Sequence, residues 1–512
     1  MEKSILFIFL FPSLLQACNP NTTAPLSSPT TPTLQSSLPS TSPTTSEGPA
    51  TSRPTESTQI DPSSLRSKME CKGQVCGDEK ATNAQIPSYQ HIIVSGLPFQ
   101  RGESHGRQAK DKILTLISYY KSSKGMPPWD DCIKFVQENY LASLQLHYPN
   151  GLEEMKGIAH GANVSLEDIL ILNARYDLTR WKRNELLKNG TSNKTKATFA
   201  NEMPECGQHY LKNVTESSTV HEGLTATESN AEPGDECTGA VALSSATKYA
   251  HVLLGQNWDT NEIILKNDTA ILLEVHPDPC EKIKPFVMLT EAGQLGRSGM
   301  NADGLGIVAM SLWSTDDKFH REEGSQGWVP ATLLRRMFLE APNFSIGLRR
   351  LLRAPRHVSV NMLIATKDDE ALNIELTPDH YFVMQVPLDK EFYAHSNHFK
   401  SAQFLAAQNF VREGSRGSSS LFRDRRVERH LMNEWPRINE STFHKAFRDH
   451  VGYPNSVCEH SVSKEDSWRS AFPTETTVAS IIFNLNQRTL QLCKGPPCMG
   501  SYKEYRFEFS QL

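Results

Sequence analysis

The spacing of apolar residues changes along this chain, and each spacing predicts an element. Near Tyr89 the run HIIVSG is a short apolar strand closing on a glycine-containing turn. Apolar positions then recur three to four residues apart in HGRQAKDKILTLISYY and in DDCIKFVQENYLASL, the period of an amphipathic helix. A further helix is expected in SLEDILILNARYDL, where Ser165 and Asp168 give a capping-box signal ahead of an apolar run. From Thr179 to Glu236 the periodicity fades into polar sequence, which reads as an exposed loop or insertion. Beyond it, short apolar runs broken by Gly, Asn or Asp predict strands in TGAVALSS, YAHVLLG, AILLEVH, PFVMLTEAG and GLGIVAMSL. Helical spacing returns in VPATLLRRMFLEA and in SIGLRRLLRA, the second with Ser345 as its cap. Strands are expected next in SVNMLIAT, ALNIEL and YFVMQV, helices in SSLFRDRRVERHLMN and STFHKAFRDHV, and closing strands in TTVASIIFNL, TLQLCKG and YKEYRFEF. Adjacent strands separated by paired helices fit α+β layers better than alternating βαβ units.

The amino-terminal end is of another kind. Residues 1–17 carry a lysine, a short apolar run from Ile5 to Leu15 and then Ala17, the pattern of a signal peptide. LQAC also fits a bacterial lipoprotein signal with Cys18 as the attachment site, but the Ser/Thr/Pro-rich segment beyond Cys18 argues against it. Residues 18–85 form a tether, almost entirely Ser, Thr and Pro as far as Ser64, that cannot bury apolar surface and suits an O-glycosylated stalk. Asn-x-Ser/Thr sequons at Asn21, Asn163, Asn189, Asn193, Asn213, Asn267, Asn343 and Asn439 add to a secretory reading, secreted or lysosomal.

Of ten cysteines, Cys18 marks the signal boundary and Cys237 stands apart. The even remainder, Cys71, Cys76, Cys132, Cys206, Cys280, Cys458, Cys493 and Cys498, suits disulfides in an oxidising compartment. CKGQVC and CKGPPC lack the C-x-x-C spacing and the adjacent histidines that zinc prefers, so no metal is expected there, and no cofactor elsewhere. A net charge of −5 with no basic stripe gives no support for a nucleic-acid surface, and no second apolar stretch is long enough to span a bilayer.

Cys237 ends the polar stretch and opens a strand, with Thr238 and Gly239 behind it. A secreted cysteine is ordinarily a disulfide or buried residue; at the head of a strand it is held rigidly and remains reachable. If the chain is cut before it, the freed α-amino group, with a pKa of about 7.7–8.0, can take the proton of a thiol at about 8.5 without a histidine partner.

ECTGAVALSS and the downstream GQNWD, then LTEAGQLGRSGMNADGLGI and HSNHF, resemble the acyl-coenzyme A:isopenicillin N acyltransferase-like family of autoprocessed cysteine N-terminal-nucleophile hydrolases. GLPFQRGESHGRQ and EEMKGIAHGANVSLEDILILNARYD are similar to the amino-terminal portion of that family, so the likeness runs from about Tyr89 to the end, outside Thr179–Glu236. It implies a four-layer αββα sandwich. It also implies cleavage between Glu236 and Cys237 into an amino-terminal portion (86–236) and a catalytic portion (237–512) that stay associated as two subunits. Cys237 would be the nucleophile, Asp259 would orient its amine, and Asn397 would direct its side-chain amide at the oxyanion. Taken from the residues alone, Asp259 is equally a turn aspartate after a strand, and His395 and His398 are an incomplete pair of metal ligands.

Two departures stand out. Glu236 occupies the place where the family commonly has glycine, and the late Ser-Arg pair falls near Thr474 and Glu475, with Arg469 the nearest arginine. The expected activity is hydrolysis of a linear, small-molecule amide through a Cys237 acyl-enzyme. The alternatives are an acyl-coenzyme A-dependent N-acyltransferase and an inactive glycosylated binding ectodomain.

Overall fold

The computed structural model describes residues 87–192, 236–406, 419–470 and 472–509. The expected signal and stalk lie outside them, as do Asn21, Asn193, Asn213, Cys71, Cys76 and Cys206. Strand β1 (Gln90–Gly96) leads into helices α1 (Pro98–Gln108), α2 (Lys110–Ser122), α3 (Trp129–Asn139), α4 (Leu141–His147), α5 (Pro149–Ala162), α6 (Leu166–Asn173) and α7 (Arg175–Ser192). The chain is described again from β2 (Glu236–Ala242), succeeded by β3 (Leu253–Asn261), α8 (Ile263–Lys266), β4 (Ala270–Pro277), β5 (Phe286–Glu291), β6 (Ser298–Asn301) and β7 (Leu305–Ser311). Next come α9 (Ala331–Leu339), α10 (Phe344–Arg353), β8 (Val360–Thr366), β9 (Ala371–Leu376), β10 (Tyr381–Gln385) and β11 (Phe392–His395). The last elements are α11 (Ala402–Ala406), α12 (Ser420–Glu434), α13 (Glu440–Phe447), β12 (Glu475–Asn484), β13 (Thr489–Lys494) and β14 (Lys503–Arg506).

The strands form two sheets, ordered β1-β4-β5-β6-β7-β8-β9-β10 and β11-β2-β3-β12-β13-β14. Neighbours run antiparallel except β1 and β4, which are parallel with Gln90 opposite Ile271. The sheets meet face to face: a Cβ on Gly239 of β2 would lie 2.7 Å from Met310 Sδ of β7, and one on Gly306 2.9 Å from a Leu254 methyl. Helices cover both outer faces. Phe443 and Phe447 of α13 press on Gly255 of the second sheet, Leu339 of α9 presses on Gly299 of the first, and Ile113 of α2 and Leu172 of α6 pack on Gly293 in the turn after β5. The result is the expected α+β, four-layer αββα sandwich. With both faces of each sheet covered, β5, β8 and β12 are buried along their whole length, which is why their apolar residues show no period-two alternation.

α1 and α5 cross closely because glycines face backbone. A Cβ on Gly102 or Gly106 would run into the carbonyls of Glu154 or Ile158, and one on Gly157 or Gly161 into those of Phe99 or Glu103. At this crossing Arg101 Nε meets Glu154 Oε2 at 2.5 Å, and Arg336 of α9 reaches the same carboxylate at 2.8 Å and Glu340 at 2.7 Å.

Several expected elements differ. HGRQAKDKILTLISYY forms parts of two helices that change direction at Ala109, and the first starts at Pro98, a proline placed where a missing N–H costs nothing. The polar stretch from Thr179 does not open as a loop: α7 continues to Ser192, anchored by buried Leu178 and by Trp181 stacked on Phe135 at 4.7 Å. Asn343 caps α10 by accepting from the Ile346 N–H at 3.0 Å, and Ser345 lies inside the helix. Ser165 and Asp168 do form the capping box. Asn163, Asn267 and Asn343 are exposed and Asn439 is half-buried; Asn189 lies in α7. Among the described residues no helix is long and apolar enough to cross a membrane.

Candidate active site

Strand pairing assembles the site. β2, β3 and β12 lie side by side, with Glu236 opposite Asp259 and Asp259 opposite Thr477. Cys237, the second residue of β2, faces Trp258 across the ladder and is 1 % exposed. On its other side β2 pairs with β11, His395 opposite Gly239, which carries Asn397 to the cysteine. Three neighbouring segments therefore hold the three residues expected at the site, and Asp259 sits fully buried within β3 instead of in a turn after it.

The Cys237 N–H donates to Asn397 Oδ1 at 2.9 Å. The Asn397 amide nitrogen donates to the Ser311 carbonyl at 3.0 Å and hydroxyl at 3.1 Å, and its backbone N–H to Ser420 Oγ at 2.8 Å. N–H donors on one side and oxygen acceptors on the other fix which way the amide points. With the Glu236–Cys237 bond intact, the oxygen of Asn397 faces the cysteine, and the N–H groups expected to face an oxyanion are held by Ser311. Asp259 Oδ1 accepts from Thr477 Oγ1 at 2.6 Å. Asn257 serves elsewhere: its amide donates to the carbonyls of Phe447 and Val457 at 2.9 and 2.7 Å, tying β3 to the chain leaving α13.

The residue that joins these groups is Arg423 on α12, which none of the sequence motifs singles out. Its Nη1 donates to the Cys237 carbonyl at 2.9 Å and to Thr238 Oγ1 at 2.7 Å, and its Nη2 to Asn397 Oδ1 at 2.7 Å. Asp259 Oδ2 lies 4.0 Å from Nη1, and the guanidinium is fully buried. FRDRR reads as a solvated charged face, yet a signal is present: Arg423 falls in register with Ser420, Val427 and Leu431, the buried stripe of α12. Trp258 is covered by the Arg297 guanidinium at 3.8 Å from its ring.

Other candidates fall away from this cluster. His395 Nε2 is 2.9 Å from Glu375 and its Nδ1 2.8 Å from the Ser396 carbonyl, while His398 Nδ1 lies 2.9 Å from Ser420 Oγ, so both rings serve the protein's own polar groups. Burial, with Asp424 as its main opponent, pulls the His398 pKa down to about 4. Arg469 sits in a surface turn, half-exposed and 3.8 Å from Asp466, and Glu475 is buried at the head of β12. A cleft of about 530 Å³ lined by Tyr249, His251, Glu440 and Gln491 lies at the opposite ends of the strands from Cys237.

Residues 246–498 match the family described as acyl-coenzyme A:6-aminopenicillanic acid acyl-transferase. A 22% identical relative over 414 residues, covering 80% of this chain and 93% of its own length, is the acyl-coenzyme A:6-aminopenicillanic-acid-acyltransferase 40 kDa form of Emericella nidulans. Both findings make this chain similar to the acyl-coenzyme A:isopenicillin N acyltransferase-like family. The family match begins at Ala246, downstream of Cys237. Among solved structures, a penicillin V acylase from Agrobacterium tumefaciens matches at 10% identity and a TM-score of 0.36, covering 54% of this chain and 88% of its own. A mutant conjugated bile acid hydrolase from Clostridium perfringens matches at 12% identity and a TM-score of 0.35, covering 54% and 98%.

Proposed function

We propose that this chain, similar to the acyltransferase-like family, is a self-processing thiol amidohydrolase of the secretory pathway, secreted or lysosomal, that cleaves linear amides of small molecules. The observation that carries the reading is the clasp around Cys237: its N–H on Asn397, its carbonyl on Arg423, and Asp259 one strand away.

In the first reaction Cys237 Sγ attacks the Glu236 carbonyl carbon, the peptide C–N bond breaks, and the departing nitrogen takes the thiol proton. Water then opens the thioester, leaving a Glu236 carboxylate and a Cys237 with free thiol and free amine. In turnover the amine takes the thiol proton as Sγ attacks the substrate amide and passes it to the leaving amine. Water resolves the acyl-enzyme. Asp259 faces the position of the new amine, and Arg423 keeps Asn397 and the nucleophile's backbone in register as charge develops.

Mass spectrometry and amino-terminal sequencing of purified protein test the first step; hydrolysis of a panel of N-acyl amides tests the second. A fragment beginning at Cys237 and loss of both reactions in Cys237→Ala are expected. Active protein with Glu236–Cys237 uncut, or turnover in Cys237→Ala, overturns the reading. Product formed only when an acyl-coenzyme A is supplied makes the enzyme a transferase instead.

A further inference from the structure

Away from Cys237, the loop after α13 and the turn after β13 bring together four side chains that sequence spacing keeps apart. His450, Cys458, His460 and Cys498 each offer one ligand atom, and these four atoms all lie within 4.8 Å of one another. His450 Nε2 is 3.2 Å from His460 Nε2, and both Cys458 Sγ and Cys498 Sγ are 3.4 Å from His460 Nε2. A tetrahedral zinc with bonds of about 2.3 Å to sulfur and about 2.0 Å to nitrogen separates its ligand atoms by about 3.3 Å (N to N) and about 3.6 Å (N to S). CKGPPC has no histidine near it in sequence, which argues against a metal there; folding supplies two. We propose that these residues form a Cys2His2 structural zinc site.

The chemistry balances. Two thiolates neutralise the divalent ion, two imidazoles bind as neutral ligands, and each thiol releases its proton on binding. With four protein ligands no position is left for substrate, so the ion braces rather than reacts. What it braces is defined by Glu459, which lies between two of the ligands. The Glu459 N–H donates to Thr477 Oγ1 at 2.9 Å, and the Thr477 N–H returns a bond to the Glu459 carbonyl at 3.0 Å. Thr477 is the residue that donates to Asp259. The site would thus pin the strand neighbour of the expected catalytic aspartate. A disulfide between Cys458 and Cys498, free thiols in this structure, is the competing use of the same sulfurs.

Metal analysis of the intact protein, purified without reductant or chelator, decides between them. About one zinc per chain is expected, with Cys458 and Cys498 resisting maleimide until a chelator is added. Cobalt(II) exchanged into the protein should show the visible bands of a tetrahedral thiolate site. His450→Ala, at an exposed position, and Cys498→Ala should each hold less than a tenth of a zinc; hydrogen exchange confirms the fold of both and should show faster exchange at Thr477. A Cys458–Cys498 disulfide in peptide maps, protein that neither copurifies with zinc nor takes it up, or full zinc retention in both variants overturns the proposal.

Discussion

Arg101 and Arg336 sit where α1, α5 and α9 meet, Arg423 sits beside β2, and all three guanidiniums are buried. At the helix crossing the two arginines share Glu154 and also reach Glu281 and Glu340, so each charge meets opposite charge at 2.5–2.8 Å. Burial opposes ionisation of Arg101 and of Glu154, but the partners outweigh it: the guanidinium's pKa is driven up and the carboxyl's down. Arg423 donates to neutral oxygens, those of the Cys237 carbonyl, Thr238 and Asn397, with the Asp259 carboxylate 4.0 Å away. The difference separates a brace from a positioning group. An arginine gripped by carboxylates ties helices together, whereas one that donates to backbone and amide oxygens fixes the geometry of the groups it touches.

Breaking the brace should cost the most stability. Glu154→Ala leaves two buried guanidiniums short of a partner and is expected to destabilise the fold by about 3–5 kcal/mol in chemical denaturation, with turnover per folded molecule unchanged. Arg423→Lys should invert that result, lowering kcat by about 10²- to 10³-fold, the range for loss of a preorganised donor, with a small shift in Tm. If Arg423→Lys instead loses stability and keeps kcat, the two centres are of one kind.

A pH experiment sharpens the comparison from the helix side. His105 accepts the Gly293 N–H at 3.1 Å through Nε2, and burial, with Glu154 raising and Arg336 lowering, brings its pKa down to about 4. Below its unfolded value near 6.5 the unfolded chain therefore binds a proton that the folded chain refuses. Its stabilisation is complete above about pH 6.5 and is lost as pH falls towards 4, by up to about 3 kcal/mol. Asp317, pushed up to about 6 chiefly by burial, has the opposite slope in that window, so the measurement is the difference in denaturation midpoint between wild type and His105→Gln at pH 4.5 and 7. The smallest effect is expected from Gly157→Ala, whose methyl would strike the Phe99 carbonyl. Overpacking of this sort costs about 1–3 kcal/mol, read as a lower Tm.

Much of the site is legible in the chain itself. Cys237, Asp259 and Asn397 stand in local motifs, and the structure brings them together. Arg423 does not, because its role depends on which side of α12 faces β2, a tertiary fact that leaves only a charged residue in an apolar stripe as its trace. The glycines of GESHG and GIAHG likewise look like turn formers until two helix backbones are laid against each other. The cysteine–histidine cluster is illegible for a similar reason: Cys498 stands in the turn after β13, whereas His450, Cys458 and His460 lie in the loop between α13 and β12.

One strand pairing bears on how the molecule ages. β1 precedes the expected cut and β4 comes after it, yet they share seven paired positions, and the helices after β1 form one outer layer. Once the Glu236–Cys237 bond is open, those contacts lie between two separate polypeptides. Unfolding would then become a dissociation, favoured by dilution, and recovery a second-order encounter. An uncut precursor can refold alone; the mature form would depend on never letting go.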